Sequence, residues 1–213
     1  ADGRTCTTYL PKDLTYVKQK RTIYNLIFVP DPAFTCATYN VDGLPSIINS
    51  DGPGSRDTKT ISQKIATSGW DFVAFQEDFE YHTNLASSMG MYHFGEYRGS
   101  VGLKNITIQA DTDGLEFATL GATCSWSNQT FVEFTEKYGG LTDGANTCIK
   151  KGFRYYLVTM KDGVQFDVYI THMNSGSKDG HINARASQFQ QLANYINDNR
   201  SGRPIIIMGD FNA

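Results

Sequence analysis

Asp71-Phe72-Val73-Ala74-Phe75-Gln76-Glu77 is a short apolar run that begins and ends on an acidic residue, and its surroundings decide the fold class. Too short for a buried helix and rich in aromatic and β-branched side chains, it reads as a strand. Asn49 to Ser55 just upstream is turn chemistry throughout. Ser55 is placed to cap a helix running to about Ser68, with Ile61 and Ile65 one turn apart on its buried side and Gly69 closing it. Further back, Phe34-Thr35-Cys36-Ala37-Thr38-Tyr39 reads as another strand. It ends at Asn40, and Asp42-Gly43-Leu44-Pro45 turns the chain away. Strand, helix and strand in that order make an α/β unit.

The same reading extends downstream. Leu115 to Leu120 is a strand, and 121–148 is a polar, Gly-bearing excursion. Phe153–Met160 and Val164–Thr171 flank Lys161-Asp162-Gly163, and Asp-Gly between two β-rich runs predicts a hairpin, with His172 ending its second arm. Residues 181–198 form an amphipathic helix with Ala186, Phe189, Leu192, Ala193 and Ile196 along its apolar side. Gly202 and Pro204 lead into the strand Ile205-Ile206-Ile207-Met208, which Gly209-Asp210-Phe211-Asn212 finishes. Residues 1–33, with the charge run Lys18-Gln19-Lys20-Arg21 and the stop Pro30-Asp31-Pro32, read as an N-terminal extension. Residues 34–213 read as one domain, without repeat or linker.

With 213 residues, 40% hydrophobic, the chain is long enough for a substantial core. A net charge of −3 without a basic block predicts no stable nucleic-acid complex, since such a complex rests on phosphate contacts from Lys and Arg. An enzyme that meets DNA only transiently is not excluded. No apolar run approaches the roughly 18 residues of a membrane span, so any membrane contact is expected to be peripheral. Cys6, Cys36, Cys124 and Cys148 form an even set without a C-x-x-C pair. The favoured reading pairs Cys6 with Cys36 and Cys124 with Cys148, the most local connectivity; four free thiols are the alternative. The start Ala1-Asp2-Gly3 reads as a processed or trimmed end. With the disulfide reading it predicts a secreted or periplasmic protein.

Four apolar strands end in polar residues: Asn40, Glu77, His172, and the pair Asp210 and Asn212. Buried strands keep polar groups off their middles because an unpaired polar atom costs about 1–3 kcal/mol, so such groups gather at strand ends and can converge on one sheet edge. Carboxylates with neutral oxygen ligands suit Mg²⁺, with Mn²⁺ and Ca²⁺ as alternatives, and His and Asn add donors for a phosphoryl oxygen. Singly, each has a plainer reading: a solvated strand end for Glu77, a structural imidazole for His172, a turn cap for Asn40. Their joint occurrence at strand ends favours function.

Thr38-Tyr39-Asn40-Val41, Phe75-Gln76-Glu77, Thr171-His172 and Gly209-Asp210-Phe211-Asn212 resemble the ordered motifs of the endonuclease/exonuclease/phosphatase superfamily, which includes DNase I and the neutral sphingomyelinases. The resemblance spans about 34–213 and implies a four-layer α/β/β/α sandwich of two packed mixed sheets. It implies Mg²⁺ held by Glu77 with Asn40 beside it. Asp210 would orient the attacking water, Asn212 would hydrogen-bond a phosphate oxygen, and His172 would stabilise transition-state charge. It also implies further C-terminal strands and a second His, in an Asp-His element, that this chain lacks. That predicts a missing segment, as a second chain or by truncation, and an inactive chain when alone. Val41-Asp42-Gly43-Leu44-Pro45, the segment 121–148 and Cys148-Ile149-Lys150-Lys151-Gly152-Phe153 resemble the secreted sphingomyelinase-like phospholipases C of this superfamily. Lys150 or Lys151 is then a candidate phosphate contact, and phospholipid the expected substrate. Tyr92, Tyr97, Trp126, Phe131 and Phe134 are candidates for a lipid interface, with core packing as their plainer reading. A DNase I-like endonuclease and a non-catalytic binding fragment of the same fold are the alternatives.

Overall fold

A computed structural model describes residues 34–99, 101–104, 107–110, 112–140 and 142–213. Two four-stranded sheets carry the fold. The first has the order β1-β2-β6-β3, from β1 (Cys36–Asn40), β2 (Phe72–Gln76), β3 (Tyr92–Phe94) and β6 (Glu116–Leu120). The second has the order β10-β9-β8-β7, from β7 (Cys124–Glu133), β8 (Gly152–Met160), β9 (Gln165–His172) and β10 (Ile205–Asp210). A separate ribbon pairs β4 (Val101–Lys104) with β5 (Thr107–Ala110). Helices α1 (Gly54–Ser68), α2 (His82–Ala86) and α3 (Asp179–Asp198) complete the elements among the described residues.

Alternation along the strands builds the layers, because successive side chains leave a strand on opposite faces. Phe72 and Ala74 of β2 and Phe117 of β6 meet Tyr156, Val158, Val168 and Ile170 of the second sheet in one buried cluster. Val73 and Phe75 face the other way and meet Ile65 of α1 and Leu85 of α2. Phe153 and Tyr169 carry the outer face of the second sheet, where Leu192 and Ile196 of α3 cover them. The result is helix, sheet, sheet, helix, as the resemblance implied, with both sheets mixed.

Two parallel pairs position the site. β1 and β2 run parallel, with Asn40 opposite Gln76, and α1 is their crossover. β9 and β10 run parallel, with His172 opposite Asp210, and α3 is theirs. A parallel pair brings both C-terminal ends to the same edge. All four strand ends named from the sequence therefore lie at C-terminal edges.

Several expectations need correction. The first helix is present and Gly69 ends it at φ 66°, but Pro53 occupies the cap position and Ser55 lies inside the helix, making no cap. Proline at the start supplies a helical φ and gives up an N–H that has no partner there in any case. The buried face of α3 is His181, Ala184, Gln188, Leu192 and Ile196, while Phe189 is exposed. Gln188 is drawn in because its amide serves two backbone groups, accepting from Asn174 N and donating to Glu136 O. Residues 121–148 are not all loop: β7 is a ten-residue strand on the sheet edge, with a register shift between Ser127 and Thr130.

The Cys124–Cys148 disulfide is not formed, and both thiols are free. Cys124 pairs with Met160 at one end of the β7–β8 ladder, whereas Cys148 shortly precedes Gly152, which faces Glu133 at the other end. The strand between them is about 30 Å long at about 3.3 Å per residue, far beyond the roughly 7 Å limit between bridged Cα atoms. Cys124 is buried and donates its thiol to the Asp71 carbonyl. Cys36 also carries a free thiol, and its expected partner Cys6 lies outside the described residues. Among the described residues, no helix is long and apolar enough to cross a membrane.

Candidate active site

Asn40 joins the two sheets. Its Nδ2 donates to Glu77 Oε1 at 2.8 Å, across the first sheet's edge, and to Asp210 Oδ2 at 3.1 Å, on the second. Its Oδ1 accepts from the Asp42 backbone N–H at 3.0 Å. The amide is thus oriented by partners at both ends, with its nitrogen toward the carboxylates. In this geometry Asn40 positions Glu77 and Asp210, and its oxygen is engaged by the Asp42 backbone.

Glu77 stands just past β2 with φ 58°, a left-handed conformation that costs a non-glycine residue about 1–3 kcal/mol. The neighbouring turn holds it there. The backbone N–H of Gly43 donates to Glu77 O at 2.9 Å, and a Cβ on Gly43 would run into that same oxygen. Only glycine permits this approach. Burial pushes the Glu77 carboxyl up; the Asn40 hydrogen bond and the Lys151 charge pull it down, and Asp42 and Asp210 push it up again.

His172 ends β9 with its Nε2 3.8 Å from Glu77 Oε1 and 3.8 Å from Asp210 Oδ2, touching both but beyond hydrogen-bond length. Its Nδ1 is buried without a partner. Burial, with the nearby Lys151 charge, pulls His172 down to about 3, against the pull of Asp210. The ring is neutral at ordinary pH. Burial pushes Asp210 up, but the Asn40 hydrogen bond and the Asn212 backbone N–H outweigh it and hold the carboxyl below its usual range. Asn212, at φ 51°, donates one side-chain N–H to the Met173 carbonyl at 3.1 Å. All five strand-end residues therefore meet in one place.

Lys151 is there as well, and not as an exposed lysine. It directly precedes β8, whose antiparallel pairing with β9 returns it to the same edge, and its Nζ donates to Met173 O at 2.6 Å in a buried setting. Burial pulls it down to about 8, against Glu77 and Asp210, which favour its charge. Asp42, a turn residue in the sequence, is a further charged neighbour of Glu77. It is fixed by the Asn49 amide at 2.8 Å, and its charge acts on Glu77.

The candidate interface aromatics are used in packing. Tyr92 and Phe134 are buried in cores; Trp126 donates to His93 O and meets Tyr156 edge-on. Tyr97 donates to Phe79 O and stacks on His82, and Phe131 lies under the Arg98 guanidinium. Arg185 of α3 donates to the carbonyls of Asn174 and Gly176.

The donor set suits a hard dication. Glu77, Asp210 and Asp42 place three carboxylates around a region whose nearest cation is Lys151, and Glu77 Oε1 is the oxygen that Asn40 holds in place.

Comparison with known proteins agrees with the fold. Sphingomyelinases of Mycobacterium bovis and Mycobacterium tuberculosis are 32% identical over 181 residues, which cover 84% of this chain and 34% of theirs. The chain thus spans about a third of the length of these relatives. Among solved structures, sphingomyelinase C from Streptomyces griseocarneus superposes with a TM-score of 0.64 at 17% identity, covering 85% of this chain and 65% of that one. A β-hairpin deletion mutant of beta toxin from Staphylococcus aureus gives 0.66 at 18%, over 86% and 68%. D. rerio TDP2 complexed with a single-strand DNA product gives 0.62 at 16%, over 84% and 61%. The sequence profile described as "Endonuclease/Exonuclease/phosphatase family" matches residues 37–213, the same stretch that builds both sheets and brings their strand ends together. The chain belongs to the endonuclease/exonuclease/phosphatase family.

Proposed function

We propose that the full-length protein is a Mg²⁺-dependent phosphodiester hydrolase of sphingomyelinase type, a phospholipase C that releases a phosphorylated headgroup from a phospholipid. The observation that carries the chemistry is the Asn40 amide holding Glu77 and Asp210 together where two parallel strand pairs end. The lipid substrate rests on the 32% identity to mycobacterial sphingomyelinases.

In this reading Glu77 holds the cation, with Mn²⁺ or Ca²⁺ as substitutes, and Asn40 keeps the carboxylate turned toward it. A bound dication would offset charge on the phosphoryl oxygens and on the leaving group. Asp210, held ionised, orients the water and draws its proton during in-line attack. The second side-chain N–H of Asn212 donates to a phosphate oxygen. His172, neutral, donates from Nε2 to the charge that grows on the pentacoordinate phosphorus, acting as a dipole and not as a cation. Lys151 brings positive charge to the floor of the site for the same phosphate. The enzyme is read as working at a lipid surface outside the cytoplasm through peripheral contact. With no disulfide among the described residues, export rests on likeness to sphingomyelinases.

The test is a pair of assays with the full-length protein at one Mg²⁺ concentration: phosphocholine release from sphingomyelin vesicles and nicking of plasmid DNA, each over a salt series. Faster phosphocholine release with weak salt dependence is expected, since a zwitterionic headgroup releases few counterions. Efficient nicking that falls steeply with salt, without phosphocholine release, would transfer the assignment to a DNase I-like endonuclease. Absence of both activities would favour a binding role.

A further inference from the structure

Behind the Glu77 turn stands a second group of ionisable side chains that the proposed reaction does not use. Asp78 is the residue after Glu77 and is buried; His82 opens α2; Glu116 opens β6 and is fully buried. One ligand atom from each lies within 4.8 Å of the other two. His82 Nδ1 is 2.6 Å from Asp78 Oδ2. Glu116 Oε1 accepts the Phe117 backbone N–H at 2.8 Å, but its Oε2, equally buried, has no hydrogen-bond partner at all.

The charges around this group do not balance. Arg154, the cation inside the same network, spends Nε and Nη2 on Asp113 at 2.9 and 2.7 Å and Nη1 on Glu96 O at 2.7 Å. Its charge pulls on Asp78 and Glu116 through space but it hydrogen-bonds neither, and the two buried carboxylates have one imidazole beside them. A buried carboxylate without a partner costs several kcal/mol and either takes up a proton or attracts a cation. Burial pushes Glu116 up to about 7, against the Arg154 charge and the Phe117 backbone N–H.

We propose that Asp78, His82 and Glu116 form a structural site for a transition-metal dication of the Zn²⁺ type, separate from the catalytic cation. One imidazole nitrogen with two carboxylates is a donor set for Zn²⁺ or Co²⁺, whereas Mg²⁺ asks for oxygen throughout. The unpartnered Glu116 Oε2 marks a ligand position without a ligand. The His82 ring is already oriented, stacked on Tyr97 at 4.1 Å and edge-on to Phe94 at 5.5 Å. On metal entry the proton between His82 Nδ1 and Asp78 leaves to solvent, and the nitrogen lone pair turns to the ion. The His82 side chain is 20% exposed, which gives the ion a way in. Such an ion ties α2 and β6 to the segment directly after Glu77. Its place is that of a brace for the strained residue at the head of the active site.

The probe is Co²⁺ added to the full-length protein after removal of metals by a chelator, in a Glu77→Gln background so that the catalytic cation does not contribute. About one equivalent should bind, give visible d–d absorption and raise the thermal midpoint. Glu116→Gln keeps the shape and removes a buried charge, so it should fold, as circular dichroism checks, yet lose the absorption and the metal-dependent rise; His82→Asn should do the same. A network complete without metal predicts the opposite. No bound equivalent in the Glu77→Gln protein, or absorption unchanged in folded Glu116→Gln or His82→Asn, would overturn the site.

Discussion

His172 shows how much of the site's behaviour depends on burial rather than on residue type. An exposed histidine takes up a proton near pH 6.5, but this ring is buried, its Nδ1 is orphaned, and it is pulled down to about 3. The folded state therefore resists a proton that the unfolded chain accepts. Stability from this group is complete above pH 6.5 and is lost as pH falls from 6.5 toward 3, at about 1.4 kcal/mol per pH unit at most. Urea denaturation of metal-free protein from pH 7 to pH 4 should show the wild type losing stability faster than His172→Gln, with the gap opening below pH 6.5. Parallel curves would show that His172 is not held neutral. Some residues of the site were legible singly, as polar ends of apolar runs. Lys151 was readable only through the family resemblance, as one of two candidate phosphate contacts, and Asp42 only as a turn residue, because a lysine before a strand and an aspartate in a turn ordinarily face water; the pairing of β8 with β9 is what draws Lys151 inside.

At the level of elements, the two parallel pairs do the positioning, and the β9–β10 pair depends on Gly209. Its φ is 150°, and a Cβ there would collide with the backbone of Thr171 on the neighbouring strand. Gly209→Ala should force the strands apart at the residue before Asp210. We expect a loss of about 1–3 kcal/mol in chemical denaturation and a larger fall in turnover than in substrate affinity. Wild-type stability and turnover in Gly209→Ala would refute this close approach. The apolar strands β2, β9 and β10 and the Asp-Gly hairpin were readable because their hydrophobic runs are bounded by turn residues. Strand β7 was not: Ser125, Ser127, Asn128, Gln129 and Thr130 give it a polar surface, and its ladder breaks between Ser127 and Thr130. The same missed strand explains the wrong disulfide, since it separates the two cysteines by its full length. Under denaturing conditions without reductant, Cys124 and Cys148 should each take up one equivalent of a thiol alkylating agent, read by peptide mass. A mass showing them bridged would contradict the ladder.

For the whole molecule, the layering was foreseeable from alternating faces and from the family motifs, whereas the buried charge network of Asp78, His82, Asp113, Glu116 and Arg154 was not. A charged side chain at a strand start or inside an apolar run ordinarily reaches solvent, so these residues carry no signal in the sequence; only the stacking of layers buries them and pairs Arg154 with Asp113. The proposed catalytic edge lies where the two sheets meet, and Asn40 bonds to a carboxylate of each. The central claim is that this edge hydrolyses a phosphodiester through a cation held by Glu77. The most direct measurement is phosphocholine release by the full-length protein in EDTA and after Mg²⁺ is restored, for the wild type and Glu77→Gln. The account predicts loss in EDTA, recovery with Mg²⁺, and a Glu77→Gln turnover at least about 100-fold lower that excess Mg²⁺ does not restore. Turnover that persists in EDTA, or a Glu77→Gln enzyme as active as the wild type, would contradict it.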